Sequence, residues 1–214
     1  MIIIFGGTFD PVHCGHLNMA HQALLQLAAD KLYFMPCAVP VHKAAPGVTA
    51  AHRVAMLKLV CNENRHFAVD ERELTRTTPS YSHLSMEEIR QAYPNEPIVF
   101  LIGMDSFNQL HTWFKWQALT SLCHIAVFAR PGESPSLVEP LQSYLAQAKT
   151  ENTDVLHQTL GGHCVFLKGP VIDAASSKIR NSIKQNQRDN SAIPDAVIHY
   201  ITTHNLYTDN ASLT

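Results

Sequence analysis

Six short apolar runs, MIIIF, KLYFM, HFAV, PIVFLIG, CHIAVFA and CVFLK, recur along the chain, each rich in β-branched or aromatic residues and bounded by turn residues or charges. Helical patterns lie between them. Leu17, Ala20, Leu24, Leu27 and Ala28 form one apolar stripe, which predicts a helix reaching about Asp30. Thr49 is a suitable cap for a second helix with Val54, Leu57 and Val60 or Cys61 inward, and SYSHLSMEEIRQAY predicts a third that stops before Pro94. Strands that alternate with helices need right-handed crossovers, which give a parallel sheet with helices on both faces. The expected fold class is doubly wound α/β. It is expected as a single domain over residues 1–214, with a helical C-terminal portion from about 176, where SSKIRNSIKQNQRD and PDAVIHYITTHN both read as helices and Pro194 suits a first turn. PVHKAAPG and ARPGESPS, broken by Pro and Gly, read as the loosest pieces.

Composition narrows the function classes. With 46% hydrophobic residues in 214, the chain can bury a substantial core, and a formal net charge of -2 gives no global basic field to attract nucleic acid or an anionic membrane. Any anionic ligand must therefore meet local groups. The five cysteines lack CxxC spacing and several sit in apolar runs, which predicts reduced, mostly buried thiols in a cytoplasmic protein. The opening MIIIFGG lacks a basic leader and is too short to span a bilayer, so neither export nor a membrane role is expected.

The first apolar run leads into GGTFDPVHCGH. Gly6 and Gly7 let a ligand approach the backbone, whose amides can bind anionic oxygens, and Thr8 adds a hydroxyl. A helix beginning near Gly15 or His16 would point its unpaired N–H groups into the same pocket, joined by the imidazoles of His13 and His16. This combination predicts a phosphate site. His13, Cys14 and His16 suggest zinc only superficially, since no second ligand group stands at a recognisable spacing; no protein metal site is expected. Near the other end, DAASSKIRNSI places Ser176, Ser177, Lys178 and Arg180 at a helix start, a second anion site with a fork-shaped guanidinium.

The string GGTFDPVHCGH resembles the nucleotidyltransferase signature GG(T/S)FDPxHxGH, in which the HxGH element grips ATP phosphates. The resemblance implies a Rossmann-like nucleotidyltransferase fold and adenylyl transfer, in which an acceptor phosphate attacks the α-phosphorus of ATP and pyrophosphate leaves. It also implies an ATP site made by Gly6, Gly7, Thr8, Phe9, His16, Gly103, Asp105, Ser176, Ile179 and Arg180, with His13, His16, Lys43 and Arg180 as the catalytic group. The second motif departs from the family's (I)SSTxIR: Ala174 and Ala175 stand where Ile and Ser are common, and Ser177 where Thr is usual.

Inner segments resemble one branch, the bacterial nicotinate-nucleotide adenylyltransferases: VPVHK their VPPHK, DERELTRTTPSYSHLSMEEI their DxRE…PSYTxxTL, IGMDSFNQLHTW their IGxDxxxxLxxW and ARPG their RRPG. Val41 departs from the second Pro and Ser82 replaces the common Thr. The implied substrates are ATP and nicotinate mononucleotide, the latter met by Thr8, Lys43, Tyr81, Ser82, Trp113, Phe114 and Arg130. An indole is a suitable stacking face for a pyridine ring, and the family pattern favours Trp113 over Trp116. Asp105 can accept hydrogen bonds from ribose hydroxyls or cap a helix, and Arg72 and Glu73 read as structural. Mg2+ is expected on the ATP phosphates. Other expectations weighed are an adenylyltransferase for nicotinamide mononucleotide or phosphopantetheine, and a nonenzymatic nucleotide-binding regulator; a homo-oligomer is compatible with the sequence.

Overall fold

In the computed structural model the described residues are 1–38, 46–77, 79–129, 134–135, 138–170, 172–186 and 191–208. Elements follow in the order β1 (Ile2–Gly7), α1 (Cys14–Gln26), β2 (Lys31–Pro36), α2 (Ala50–Asn62), β3 (Phe67–Val69), α3 (Arg72–Thr75), α4 (Ser82–Ala92), β4 (Ile98–Gly103) and α5 (Met104–Asn108). A 3-10 turn (Leu110–Thr112) precedes α6 (Trp116–Leu122), β5 (His124–Ala129), α7 (Glu139–Ala148), α8 (Val155–Gln158), β6 (Cys164–Lys168), α9 (Ser176–Lys184) and α10 (Asp195–Thr203). All six apolar runs are strands of one sheet, ordered β3-β2-β1-β4-β5-β6, and every neighbouring pair is parallel.

The period-two alternation of β1 divides the core. Ile3 and Phe5 join Ala20, Leu27, Met56, Leu57, Val197 and Ile201 on one face, while Ile2 and Ile4 join Met86, Ile89, Phe107, Leu119 and Leu141 on the other. Helices thus cover both faces. The order reverses between β1 and β4, and such a switch point opens a crevice at the carboxyl ends of the two strands. Among the described residues no helix is long and apolar enough to cross a membrane.

Several boundaries differ from the sequence expectation. Helix α1 stops at Gln26 because Ala28 adopts a left-handed backbone, φ 46, and Leu27 forms the cap. Thr49 occupies the N-cap of α2 without a side-chain cap bond, and Pro194 is the N-cap of α10 rather than a first-turn residue. Only Cys123 and Cys164 of the five free thiols are fully buried; Cys14, Cys37 and Cys61 are half-buried. The loops PVHKAAPG and ARPGESPS fall largely outside the described residues.

His124 opens β5 and is 0% exposed. Its Nε2 lies 3.0 Å from the Thr159 carbonyl and its Nδ1 accepts the His163 N–H at 3.2 Å, an assignment that only the neutral ring satisfies. Burial, above all, holds its pKa below 6.5; the Thr159 carbonyl pulls it up, while His163 and Arg90 push it further down. The unfolded chain therefore binds a proton that the folded chain resists. This contribution to stability is present above about pH 6.5 and lost as the pH falls. The thermal midpoint should drop between about pH 7 and about pH 5, with a shallower slope in His124→Gln. Equal slopes in the two proteins would remove His124 as a source of the dependence.

Candidate active site

The crevice at the β1/β4 switch point is a cleft of about 1190 Å³, larger than the roughly 300–1,000 Å³ of an ordinary small-molecule site. Its floor is the turn that leaves β1. A Cβ on Gly6 would stand 3.1 Å from the Phe100 ring, and one on Gly7 2.8 Å from the Phe9 ring. The glycines are needed because aromatic rings fill the space behind them, as much as for access from the front. Phe9 carries a left-handed backbone, φ 49, which turns its side chain back into the core among Phe5, Phe34 and His16. Its contribution at the cleft is through the main chain.

His13 ends this turn as the N-cap of α1. Its Nδ1 accepts the His16 N–H at 3.3 Å, so the neutral ring carries its proton on Nε2. The His16 ring stacks on that of His13 with centroids 3.7 Å apart and is braced edge-on by Phe5 and Phe9. One helical turn of spacing has therefore become a stacked imidazole pair at a helix N-terminus.

The second motif meets this turn across the chain. Ser176 begins α9, behind the N-cap Ala175, and its hydroxyl donates to the Pro11 carbonyl at 3.1 Å. Arg180 donates from Nη1 to the Asp10 carbonyl at 2.7 Å and lies on the cleft with Ser176 and Ser177. Ile179 instead enters the core, and its N–H bonds the Ala175 carbonyl, so it anchors α9 and offers a ligand no donor. Lys178 is exposed and paired with Asp173.

From β4 come Gly103, the N-cap of α5, and Asp105 in its first turn. A Cβ at Gly103 would approach the Asp105 carboxylate to 2.9 Å, so the glycine makes room for that side chain. Trp113 lies on the cleft edge-on to Phe100, whereas Trp116 is 9% exposed and packs edge-on against Tyr144. Ser82 starts α4 on the cleft, and the ring of the N-cap Tyr81 lies tilted against that of the exposed Phe114, centroids 4.8 Å apart. Thr8 lines the floor. Lys43 and Arg130 lie outside the described residues, as do Val41 and His42.

Two buried charged residues bear on the cleft, Arg53, which the sequence reading did not single out, and Glu73, which it read as structural. Arg53, 1% exposed on α2, donates to the carbonyls of Thr8 and Cys37, each at 2.8 Å, and to Ala38 at 3.5 Å. It clamps the exits of β1 and β2 together. Its signal was its spacing: it shares a helix face with Leu57 and Val60, which point inward. Glu73, 3% exposed, follows β3 and lines the cleft; burial raises its pKa, while hydrogen bonds from Ser85 and Ser80 and the charge of Arg76 oppose the rise. Ser80 also accepts the Ala38 N–H at 3.1 Å, which ties the turn before α4 to the loop that Arg53 holds.

Two helix N-termini, two imidazoles and one guanidinium thus face a single cleft, an arrangement that can neutralise a polyphosphate. Among the described residues no group of three or more His, Cys, Asp or Glu could hold a metal ion.

Residues 4–182 match the family model described as cytidylyltransferase-like. A Pseudoalteromonas atlantica protein named a probable nicotinate-nucleotide adenylyltransferase is 39% identical over 95% of this chain and 93% of its own. One of the same name from Shewanella frigidimarina is 36% identical over 95% and 98%. The fold is similar to that of a Plasmodium falciparum nicotinic acid mononucleotide adenylyltransferase solved with NaAD, with a TM-score of 0.69, 18% identity and 96% of each chain covered.

Arg53→Met keeps the apolar stem but takes the donor from three half-buried carbonyls, those of Thr8, Cys37 and Ala38. It should destabilise the fold by at least ~2 kcal/mol in urea denaturation, since each buried group left unpaired costs roughly 1–3 kcal/mol. A loss within ~0.5 kcal/mol would mean that water replaces the clamp.

Proposed function

This chain belongs to the cytidylyltransferase-like family and, within it, to the nicotinate-nucleotide adenylyltransferases, and on that premise we propose that it transfers the adenylyl group of ATP to nicotinate mononucleotide. The products are nicotinate adenine dinucleotide and pyrophosphate, a step of NAD biosynthesis. One observation carries the reading at this site: the His13–His16 pair and Arg180, from opposite ends of the sequence, face the same cleft as Trp113.

In this reading ATP lies over the turn after β1, its phosphates on the N–H groups of Gly7 to Phe9 and of Gly15 and on the imidazoles. Arg180 and the N-terminus of α9 take the far phosphates, with the Ser176 hydroxyl fastening α9 to Pro11. Asp105 accepts from the ribose, and Gly103 leaves space for it. A phosphate oxygen of the acceptor forms its bond to the α-phosphorus as the bond to the pyrophosphate oxygen breaks. Positioning two anions and stabilising the equatorial charge supply most of the acceleration, so no general base is assigned. His13 and His16 stabilise that charge, and Lys43, from the loop after β2, belongs to the same group by family resemblance. ATP enters as its magnesium complex, with the cation held by phosphate oxygens and water.

Trp113 is the stacking face for the pyridine ring, supported by its place on the cleft while Trp116 is buried. Ser82 and Thr8 line the same cleft, and Tyr81, Phe114 and Arg130 belong to the acceptor site by family resemblance. A cytoplasmic location belongs to the same reading, supported by five free thiols.

Purified protein should release pyrophosphate from magnesium ATP when nicotinate mononucleotide is added, and His16→Ala should lower kcat about 100-fold while remaining folded. Near-normal turnover would remove His16 from the mechanism. Trp113→Ala should raise KM for the pyridine nucleotide about tenfold and that for ATP far less. Equal effects on both substrates would move the stacking face elsewhere.

A further inference from the structure

Asp10 lies at the centre of the signature turn, is 4% exposed and has every carboxylate oxygen engaged. Oδ1 accepts the Tyr207 hydroxyl at 2.8 Å and Oδ2 accepts the Gly47 N–H at 2.7 Å. Arg180 already bonds the Asp10 carbonyl through Nη1, and that nitrogen stands 3.6 Å from Oδ2, too long for a close fork. Tyr207 reaches this point from beyond α10, is 5% exposed, and packs with Leu206 in the core. Its left-handed backbone, φ 62, is unusual for a bulky side chain and marks a residue held in place by its contacts. Burial raises the pKa of its hydroxyl, and the Asp10 charge and hydrogen bond raise it further, which keeps the proton available for donation.

We propose that Tyr207 is a positioning residue for ATP binding: by occupying Oδ1 of Asp10 it keeps that carboxylate from closing on Arg180, so the guanidinium stays directed to the cleft. This rests on the proposed role of Arg180 at the ATP phosphates. Among the described residues Oδ1 has no other donor. Without the hydroxyl, a buried carboxylate turns to the nearest positive charge, and the Arg180 guanidinium, whose Nη1 already bonds the Asp10 carbonyl, stands 3.6 Å from Oδ2. A closed Asp10–Arg180 fork would neutralise the charge that meets the phosphates and draw it off the cleft. The last described turn of the chain thereby tunes the contact between Arg180 and Asp10, the latter 197 residues from Tyr207.

The test is ATP affinity, measured by titration calorimetry on the full chain, for wild type, Tyr207→Phe, Arg180→Ala and the double variant, each with its thermal midpoint. Tyr207→Phe should bind ATP about tenfold more weakly, the scale of one hydrogen bond to a charged group, with KM for the pyridine nucleotide unchanged. The double variant should bind no more weakly than Arg180→Ala alone. Wild-type affinity in Tyr207→Phe, with or without a lower thermal midpoint, would overturn the proposal, as would additive losses in the double variant. Because the measurement needs no acceptor, a protein that binds ATP but does not use nicotinate mononucleotide would sink the function and leave this inference standing. Wild type that fails to bind ATP would sink both.

Discussion

Every strand of the sheet runs in one direction, so every segment that leaves a strand's carboxyl end emerges on the same edge. The turn after β1, the exit of β2 at Cys37 and Ala38, α3 after β3 and α5 after β4 emerge on one edge for that reason. Reversal of the strand order between β1 and β4 then sends their crossovers to opposite faces and leaves a crevice between them. The cleft is a consequence of topology. Its chemistry comes from what the exits carry.

Loops that meet in this way must still be held still, and polar bonds of long sequence separation do it. Arg53 joins the exits of β1 and β2 through three carbonyls. Ser80 links the second of these to the turn before α4, and Ser176 and Arg180 fasten α9 to Pro11 and Asp10. Each bond contributes only about 1 kcal/mol net, but breaking one strands a buried partner at greater cost. Rigidity matters here because charge stabilisation depends on donors that need no rearrangement when the reaction begins.

The strands were legible because each is an apolar run bounded by polar punctuation, and all six stand in the sheet. The floor of the site was legible because Gly6, Gly7, His13 and His16 are contiguous in sequence. Short helices such as α5 and α6 carried no periodic stripe long enough to read, and their place is set by packing on β4 and β5. Asp10 is a hub that collects Gly47, Arg180 and Tyr207. No local pattern announces a contact spanning 197 residues. Ile179, which family resemblance gives to the ATP site, also packs in the core and anchors α9, a role that its sequence neighbours do not announce.

The central claim is that this cleft joins ATP to a pyridine nucleotide bearing a carboxylate. In the proposed acceptor site, which family resemblance places near Ser82 and the backbone after Trp113, N–H donors would favour a carboxylate, whereas an amide presents one acceptor and a donor facing another donor. The most direct measurement is kcat/KM for pyrophosphate release from magnesium ATP with nicotinate mononucleotide, nicotinamide mononucleotide and phosphopantetheine compared under one condition. The account predicts at least about a hundredfold preference for the nicotinate nucleotide, the scale on which an unpaired polar group is rejected. Equal use of the amide, or preference for phosphopantetheine, would contradict it.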